Sequence, residues 1–312
     1  MSYSFQREES ISENIRRVYT ELLDQCIYEL THSYGRSHSA VHETRKSFKK
    51  MRALFRLVRE EIGEDTYKAY NTFFRDEGRK ISDLRDVNVL IETLDEIKKT
   101  YQKELSEDVF TGIRAKLLRK KHALSKRLLY RRKVLQKMFA RLEETEVYLT
   151  SMHIQNENFS AFRSGLTRVY KKASKGLTSA YAKRSAEVFH NWRKRVKYLR
   201  YQVDLLSPAW PSVLSLQEKE LHTLSDLLGD HHDLSVLEEE ILSIKIKNTE
   251  ALEVLLGLIS HHKSTMEEEA QPLGAKLFAE KPKNFVNRLE SYWKTWKKDK
   301  QEENPETKVL VT

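Results

Sequence analysis

The sequence has few of the residues that interrupt helices or form tight turns. Its 312 residues include nine glycines and five prolines, whereas 33% of the residues are charged. This composition favours long helices and argues against β-sandwiches, β-barrels and glycine-rich phosphate loops. The sequence therefore predicts an all-α protein.

Other absences exclude whole kinds of site. Cys26 is the single cysteine, which excludes an intramolecular disulfide and a multi-cysteine metal centre. The motifs G-x-x-x-x-G-K-[ST], G-x-S-x-G and H-E-x-x-H do not occur, so the sequence indicates no P-loop, nucleophile elbow or zinc-protease helix. We predict a protein without catalytic residues, bound metal or cofactor.

The sequence contains no signal that would direct the chain into or across a membrane. Its first residues lack the apolar core of a secretory signal, and no window approaches the roughly 18 apolar residues of a transmembrane helix. We expect a cytoplasmic protein without membrane association, either in solution or at phosphate granules. The sequence does not predict the oligomeric state.

Positive charge is in excess. The chain has 56 lysines and arginines against 46 acidic residues, with a net charge of +10 and a pI near 9.3. An excess of this kind indicates an anionic partner, such as nucleic acid, a membrane surface or a phosphate polymer.

The basic residues form a motif that occurs twice. Residues 42–52 and residues 190–200 both read H-x-x-R-K-x-x-K-x-x-R. On a helix, the residues at offsets of three, seven and ten from the histidine share a stripe roughly 80° wide with it. The motif residues are His42, Arg45, Lys46, Lys49 and Arg52 in the first copy and His190, Arg193, Lys194, Lys197 and Arg200 in the second.

Two such stripes predict a receptor for a polyanion. Like charges at this spacing repel one another, so the stripe is unfavourable unless an anion lies against it. The alternative is a solvated helix face, which usually mixes glutamates with lysines. Residues 41–59 contain one acid, Glu43, and residues 189–203 contain none, which favours the receptor.

A second repeat predicts a duplicated unit. Residues 81–90 resemble residues 228–237 at an offset of 147, close to the offset of 148 between the basic motifs. Near-equal offsets predict one domain, residues 8–298, made of two helical-bundle halves at about 8–150 and 155–298. We expect the halves to be related by a pseudo-twofold axis, with both stripes along one groove. Residues 299–312 are predicted to be a flexible tail.

Each copy of the second repeat places a base before an aspartate, as Arg85-Asp86 and His232-Asp233. The pattern predicts that a helix begins at each aspartate, which caps it, and that the preceding base points into the groove. A plain capped turn is the alternative. The second copy therefore predicts a helix break between residues 228 and 232.

Three further residues are candidates for the rim of the groove. Arg56 extends the first stripe by one helical turn, and its counterpart in the second half is Asp204. Residues 114–133 contain ten lysines and arginines, from which Lys121 is the candidate. His262 lies in a comparable region of the second half.

At these residues the chain resembles the CHAD family, the conserved histidine α-helical domain. The two H-x-x-R-K-x-x-K-x-x-R helices and the turns at Arg85-Asp86 and His232-Asp233 carry the resemblance, which extends over about residues 8–298. Ser82 departs from the glycine that the second copy has at Gly229. No triphosphate-tunnel domain precedes these motifs, so we expect a stand-alone member.

The resemblance implies two helical halves around a central basic cleft or pore that binds inorganic polyphosphate without catalysis. It assigns the residues of both basic motifs, Arg85 and His232 to that surface. Two alternatives are an RNA- or DNA-binding module, and an enzyme that cleaves or extends phosphate chains. A single-strand binder would interleave aromatic residues with the bases, and few aromatic residues share the stripes.

Overall fold

The computed structural model describes residues 3–32, 38–101, 107–130, 137–145, 154–244 and 249–303, and within these ranges it contains helices and no strand. The all-α prediction is confirmed. The helices are α1 (Ile11–His32), α2 (His38–Leu57), α3 (Arg59–Ile62), α4 (Glu64–Lys80), α5 (Asp83–Thr100), α6 (Glu107–Tyr130), α7 (Ser160–Lys183), α8 (Ala186–Leu206), α9 (Pro211–Leu242), α10 (Thr249–Leu277) and α11 (Pro282–Glu303). Residues 137–145 are also helical, and Ser207–Ala209 form a 3₁₀ turn.

The two helices that carry the basic motifs, α2 and α8, pack against each other. Their apolar faces are buried, as Phe48 and Phe55 in α2 and Trp192 and Val196 in α8 show. The buried Gln202 donates from its Nε2 to the carbonyl oxygen of residue 53, at 3.2 Å, and so joins α8 to α2. The largest apolar core therefore contains residues from both halves of the chain.

A smaller core lies beside it, between α5, α6, the end of α9 and the start of α10. Leu94, Ile113, Leu237 and Ile259 are among its buried residues. Since α5 and α9 also pack against each other, the two helices that carry the second repeat are held together by this core.

The start of α8 is fixed by a short turn. Arg184 ends α7 in the left-handed region, with φ of 44°. The side chain of Ser185 then accepts a hydrogen bond from the backbone N–H of Val188 and caps α8. This cap sets where the second basic motif begins, five residues after Ser185.

The predicted helix break between residues 228 and 232 is wrong, because α9 runs without interruption from Pro211 to Leu242. Asp233 therefore lies inside a helix and does not cap one. Glycine inside a helix costs about 1 kcal/mol relative to alanine, which the packing of a long amphipathic helix can exceed. In the first half the chain does break, since α4 ends at Lys80 and α5 begins at Asp83.

The first basic helix, α2, ends at Leu57, and Val58 separates it from the single turn of α3. No helix among the described residues is long and apolar enough to cross a bilayer.

The prediction of a flexible tail concerns residues 299–312. The helix α11 continues to Glu303, and residues 304–312 of the predicted tail lie outside the described residues.

Candidate functional site

A cavity of about 450 Å³ lies between α2, α4, α5, α8 and α9. Among the described residues, its wall contains nine lysines and arginines, two histidines and two aspartates. The nine cations are Arg45, Lys49, Arg52, Arg75, Arg79, Arg85, Arg193, Lys194 and Lys197. Since cations exceed carboxylates by this margin, the cavity is suited to an anion with several charges.

The first motif copy reaches the cavity from α2. Arg45 donates from Nη1 to Oδ1 of Asp86 at 3.2 Å. One helical turn before the end of α2, Arg52 donates from Nε to Oδ1 of Asn71 at 3.0 Å. The Nε of Arg85 donates to Nδ1 of His42 at 3.1 Å. Because Nδ1 accepts this bond, His42 is held with that nitrogen unprotonated.

The second motif copy reaches the cavity from α8. The rings of His190 and His232 stack with their centroids 3.8 Å apart. The guanidinium group of Arg193 lies against Gly229, where an added Cβ atom would be 3.2 Å from its Nη2. Among the described residues, the buried Nε of Arg193 and Nδ1 of His190 have no hydrogen-bond partner.

The cavity places its two central lysines in an unfavourable environment. Burial, followed by the charge of Lys197, holds the pKa of Lys49 well below its ordinary value. Burial and then the neighbouring Arg193 lower the pKa of Lys197 to about 8. Burial is the larger cause for both lysines, and the part of each shift that comes from neighbouring cations indicates a positive potential that an anion would relieve.

The stacked histidines are also affected. Burial, and then the charge of His232, lower the pKa of His190 to about 3. Burial and Arg193 lower the pKa of His232 to about 4. Both rings are therefore neutral near pH 7. In that state each ring retains one N–H donor that can point into the cavity.

Two carboxylates interrupt the basic wall. Asp86 accepts the hydrogen bond from Arg45. Asp233 is half-buried; burial raises its pKa, and the charge of Arg193 opposes that rise. The prediction that these aspartates begin and cap helices is wrong for both, because α5 begins at Asp83 with Ser82 at its N-cap position and Asp233 lies inside α9. Both aspartates reduce the net positive charge of the cavity, and Asp86 also holds the guanidinium group of Arg45.

The predicted site residues divide into two groups. Nine of the fifteen line the cavity: Arg45, Lys49, Arg52, Arg85, His190, Arg193, Lys194, Lys197 and His232. His42 contacts it through Arg85, and Arg56 lies behind Arg52, where its guanidinium group stacks on the Tyr198 ring at 3.9 Å.

The remaining predicted residues lie elsewhere. Lys46 pairs with Glu43 at 3.3 Å and faces a different surface pocket. Arg200 donates to Glu218 at 2.5 Å. His262 lines an adjacent pocket beside acidic residues and contacts Tyr101. Lys121 is in α6, and it does not line the cavity.

Two arginines that line the cavity, Arg75 and Arg79, were not predicted from the sequence. They lie four residues apart on α4 and both pair with Asp76, Arg75 at 2.7 Å and Arg79 at 3.7 Å. Their spacing places them on one helix face, shortly before the Arg85-Asp86 turn. That spacing was the available signal, but α4 carries no copy of the basic motif.

The chain is thus a helical domain in which two copies of one motif reach a basic cavity. The family model described as the CHAD domain matches residues 17–242, and the chain belongs to this family. No curated protein matches the chain.

The fold is similar to that of a solved structure, PptA from Streptomyces chartreusis. The two share a TM-score of 0.61 and 12% sequence identity, over 87% of this chain and 100% of that one. At this identity the similarity concerns the fold alone, and the site must be argued from the residues of this chain.

Proposed function

We propose that the protein binds inorganic polyphosphate, without chemical conversion, in the cavity between α2 and α8. The observation that carries the proposal is the wall itself, in which nine cations from four helices face two carboxylates among the described residues. Arginine guanidinium groups match phosphate oxygens with paired hydrogen bonds, and lysines add mobile point charges. The CHAD membership supports the same ligand.

The aromatic residues of the cavity favour a phosphate polymer over nucleic acid. Single-stranded nucleic acids are held largely by stacking of bases on open aromatic faces. Tyr198 and Tyr201 line the cavity, but they are only 7% and 3% exposed. Arg56 already covers the ring of Tyr198 at 3.9 Å. A ligand that consists of phosphate groups alone needs no such faces.

The polar groups of the cavity are suited to positioning phosphate rather than to cleaving it. Asp86 is engaged by Arg45, and Asp233 lies beside Arg193 and Arg85. Asp86 therefore holds a guanidinium group, and both carboxylates lie among cations. We therefore propose binding as the function, in preference to phosphoryl transfer.

Calorimetric titration with polyphosphate, with single-stranded oligonucleotide as competitor at matched charge and salt, tests the proposal. We expect polyphosphate to bind, the oligonucleotide to compete weakly, and affinity to fall steeply with added salt because bound counterions are released. Preference for the oligonucleotide would favour the nucleic-acid alternative. Incubation with polyphosphate and Mg²⁺ should release no phosphate, and steady release would show an enzyme.

A further inference from the structure

A second group of cations continues the basic wall beyond the cavity. Arg52, at the cavity edge, and Arg56, one helical turn further along α2, share one acceptor. Their Nε and Nη2 atoms donate to Oδ1 of Asn71 at 3.0 and 2.6 Å. Nη1 of Arg56 also donates to the carbonyl oxygen of Arg52 at 2.8 Å. Two guanidinium groups are thus held side by side by a neutral amide, which leaves their charge uncompensated.

Helix α7 brings a further cation to this place. A Cβ atom on Gly165 would collide with the carbonyl oxygens of Arg56 and Leu57, so α7 crosses the end of α2 with no side chain between them. Lys172 follows Gly165 by seven residues and therefore lies on the same face of α7. The crossing carries the exposed Lys172 alongside the end of the first basic stripe.

Helix α8 completes the group with Arg195. Burial and then Arg195 lower the pKa of Lys194, which lines the cavity. Burial and then Arg195 also lower the pKa of Lys172, and Arg56 contributes to that shift. Since α7 packs against both α2 and α8, Arg56, Lys172 and Arg195 lie on three adjoining helices, beside the cavity edge formed by Arg52 and Lys194, and the influence of Arg195 on both lysines agrees with that placement.

The carboxylates in this region are engaged by other cations. Arg59 pairs with Glu64, and Arg168 pairs with Glu60. Within the described ranges, no ion pair involves Arg56, Lys172 or Arg195. The positive charge of these three side chains is therefore available to an anion.

A second pocket, between α5 and α9, is less basic. Its lining contains Glu96 and Asp230 against Lys99 and His262. Burial and then the charge of Asp233 raise the pKa of Asp230 to about 6. These carboxylates oppose a polyanion. A phosphate chain longer than the cavity is therefore favoured to leave on the side of Arg56, where nearby carboxylates are paired with other cations.

We propose that Arg56, Lys172 and Arg195 form a second phosphate-binding subsite, which holds the part of a polyphosphate chain that emerges from the cavity, so that long chains bind more tightly than short ones. The inference rests on the proposed function. From Arg45 to Arg56 the basic face of α2 extends for about 16 Å. The motif residues can contact all phosphates of a short chain, whereas a longer chain also reaches Arg56, Lys172 and Arg195.

The test compares a charge-reversed protein with a matched control. The variant Lys172→Glu/Arg195→Glu reverses the charge of two side chains of the subsite. The control variant Lys276→Glu/Lys283→Glu makes the same change of charge at exposed residues of α10 and α11, which do not line the cavity. Affinity is measured by calorimetry for polyphosphates of increasing length, from tripolyphosphate upward. Thermal unfolding of both variants checks that each remains folded.

We expect the affinity of the wild type and of the control to keep rising with chain length, while that of the subsite variant levels off at short chains. For the longest chains the subsite variant should bind at least about tenfold more weakly, with a smaller dependence on salt. The same length dependence in all three proteins, or an equal loss at every length, would overturn the subsite. Failure of the wild type to bind any chain would instead refute the proposed function.

Discussion

The two copies of the basic motif are identical at their five defining positions, yet they differ in which arginine faces a carboxylate. In the first copy Arg45 pairs with Asp86, and Arg52 is held by a neutral amide. In the second copy Arg200 pairs with Glu218, and Arg193 has no ion pair among the described residues. The repeated motif therefore sets where the charges lie, while residues from other helices decide which of them a ligand can use.

The histidines show the same divergence. His42 accepts a hydrogen bond from Arg85, whereas His190 stacks on His232. Arg85 and His232 occupy equivalent positions of the second repeat, so a permanent cation in one half is replaced by a titratable ring in the other. The first half therefore offers constant charge, and the second offers charge that depends on pH.

The largest expected effect is on polyphosphate affinity, and it distinguishes arginines without a carboxylate partner from arginines that have one. Arg52→Ala/Arg193→Ala removes the two arginines without a carboxylate partner, and Arg45→Ala/Arg200→Ala removes the two that have one. Both variants lose the same formal charge, so the second controls for long-range electrostatics. Each hydrogen bond to a charged group contributes about 1.5–3 kcal/mol, so we expect the first variant to lose at least about 100-fold in polyphosphate affinity.

We expect the loss in the control variant to be about tenfold smaller, because its arginines already spend their hydrogen bonds on Asp86 and Glu218. Calorimetric titration at one fixed salt concentration measures both losses. Equal losses would mean that net charge alone governs binding and that the difference between the halves has no functional consequence.

A smaller effect concerns pH. His190 and His232 have folded-state pKa values of about 3 and about 4, below the ordinary value of 6.5. Their contribution to stability is therefore present above pH 6.5 and is lost as the pH falls toward the folded values. A bound polyanion favours the protonated rings and opposes this loss. The rise in melting temperature caused by polyphosphate should therefore grow between about pH 7 and pH 5.

Thermal unfolding with and without polyphosphate measures this dependence. Internal phosphates of a long chain stay ionised over this range, so groups of the protein carry the change, and the variants separate the histidines from carboxylates such as Asp230, whose pKa is about 6. The variant His190→Gln/His232→Gln should reduce the pH dependence of the stabilisation by polyphosphate. The control variant His122→Gln/His261→Gln, which replaces exposed rings, should retain that pH dependence. A pH-independent stabilisation in the wild type would contradict the assignment.

Helix content was predictable from composition and periodicity, because it is a local property of the chain. The ion pairs were not predictable, since Glu218 lies 18 residues from Arg200 and Asp86 lies 41 residues from Arg45. Which cations remain available depends on tertiary neighbours that a motif does not specify.

The break predicted near residue 229 was wrong for a related reason. A glycine followed by an aspartate indicates a turn when only local preferences are considered. In α9 the glycine instead provides room for a side chain from another helix, since Arg193 lies directly against Gly229. The first half has Ser82 at this position, where the chain does turn. The same position of the repeat therefore makes room for Arg193 in the second half and lies in a turn between two helices in the first half.

The smallest expected effect concerns the contact between Gly229 and the guanidinium group of Arg193. Gly229→Ala should gain up to about 1 kcal/mol of helix stability, while its Cβ atom, 3.2 Å from Nη2 of Arg193, displaces the guanidinium group by a few tenths of an ångström. We expect polyphosphate affinity to fall by roughly threefold because paired hydrogen bonds to phosphate depend on geometry. Gly257→Ala, in open space on α10, should gain the same stability at unchanged affinity. If both variants bind polyphosphate equally well, Gly229 does not position Arg193, and the continuous α9 has no bearing on the ligand.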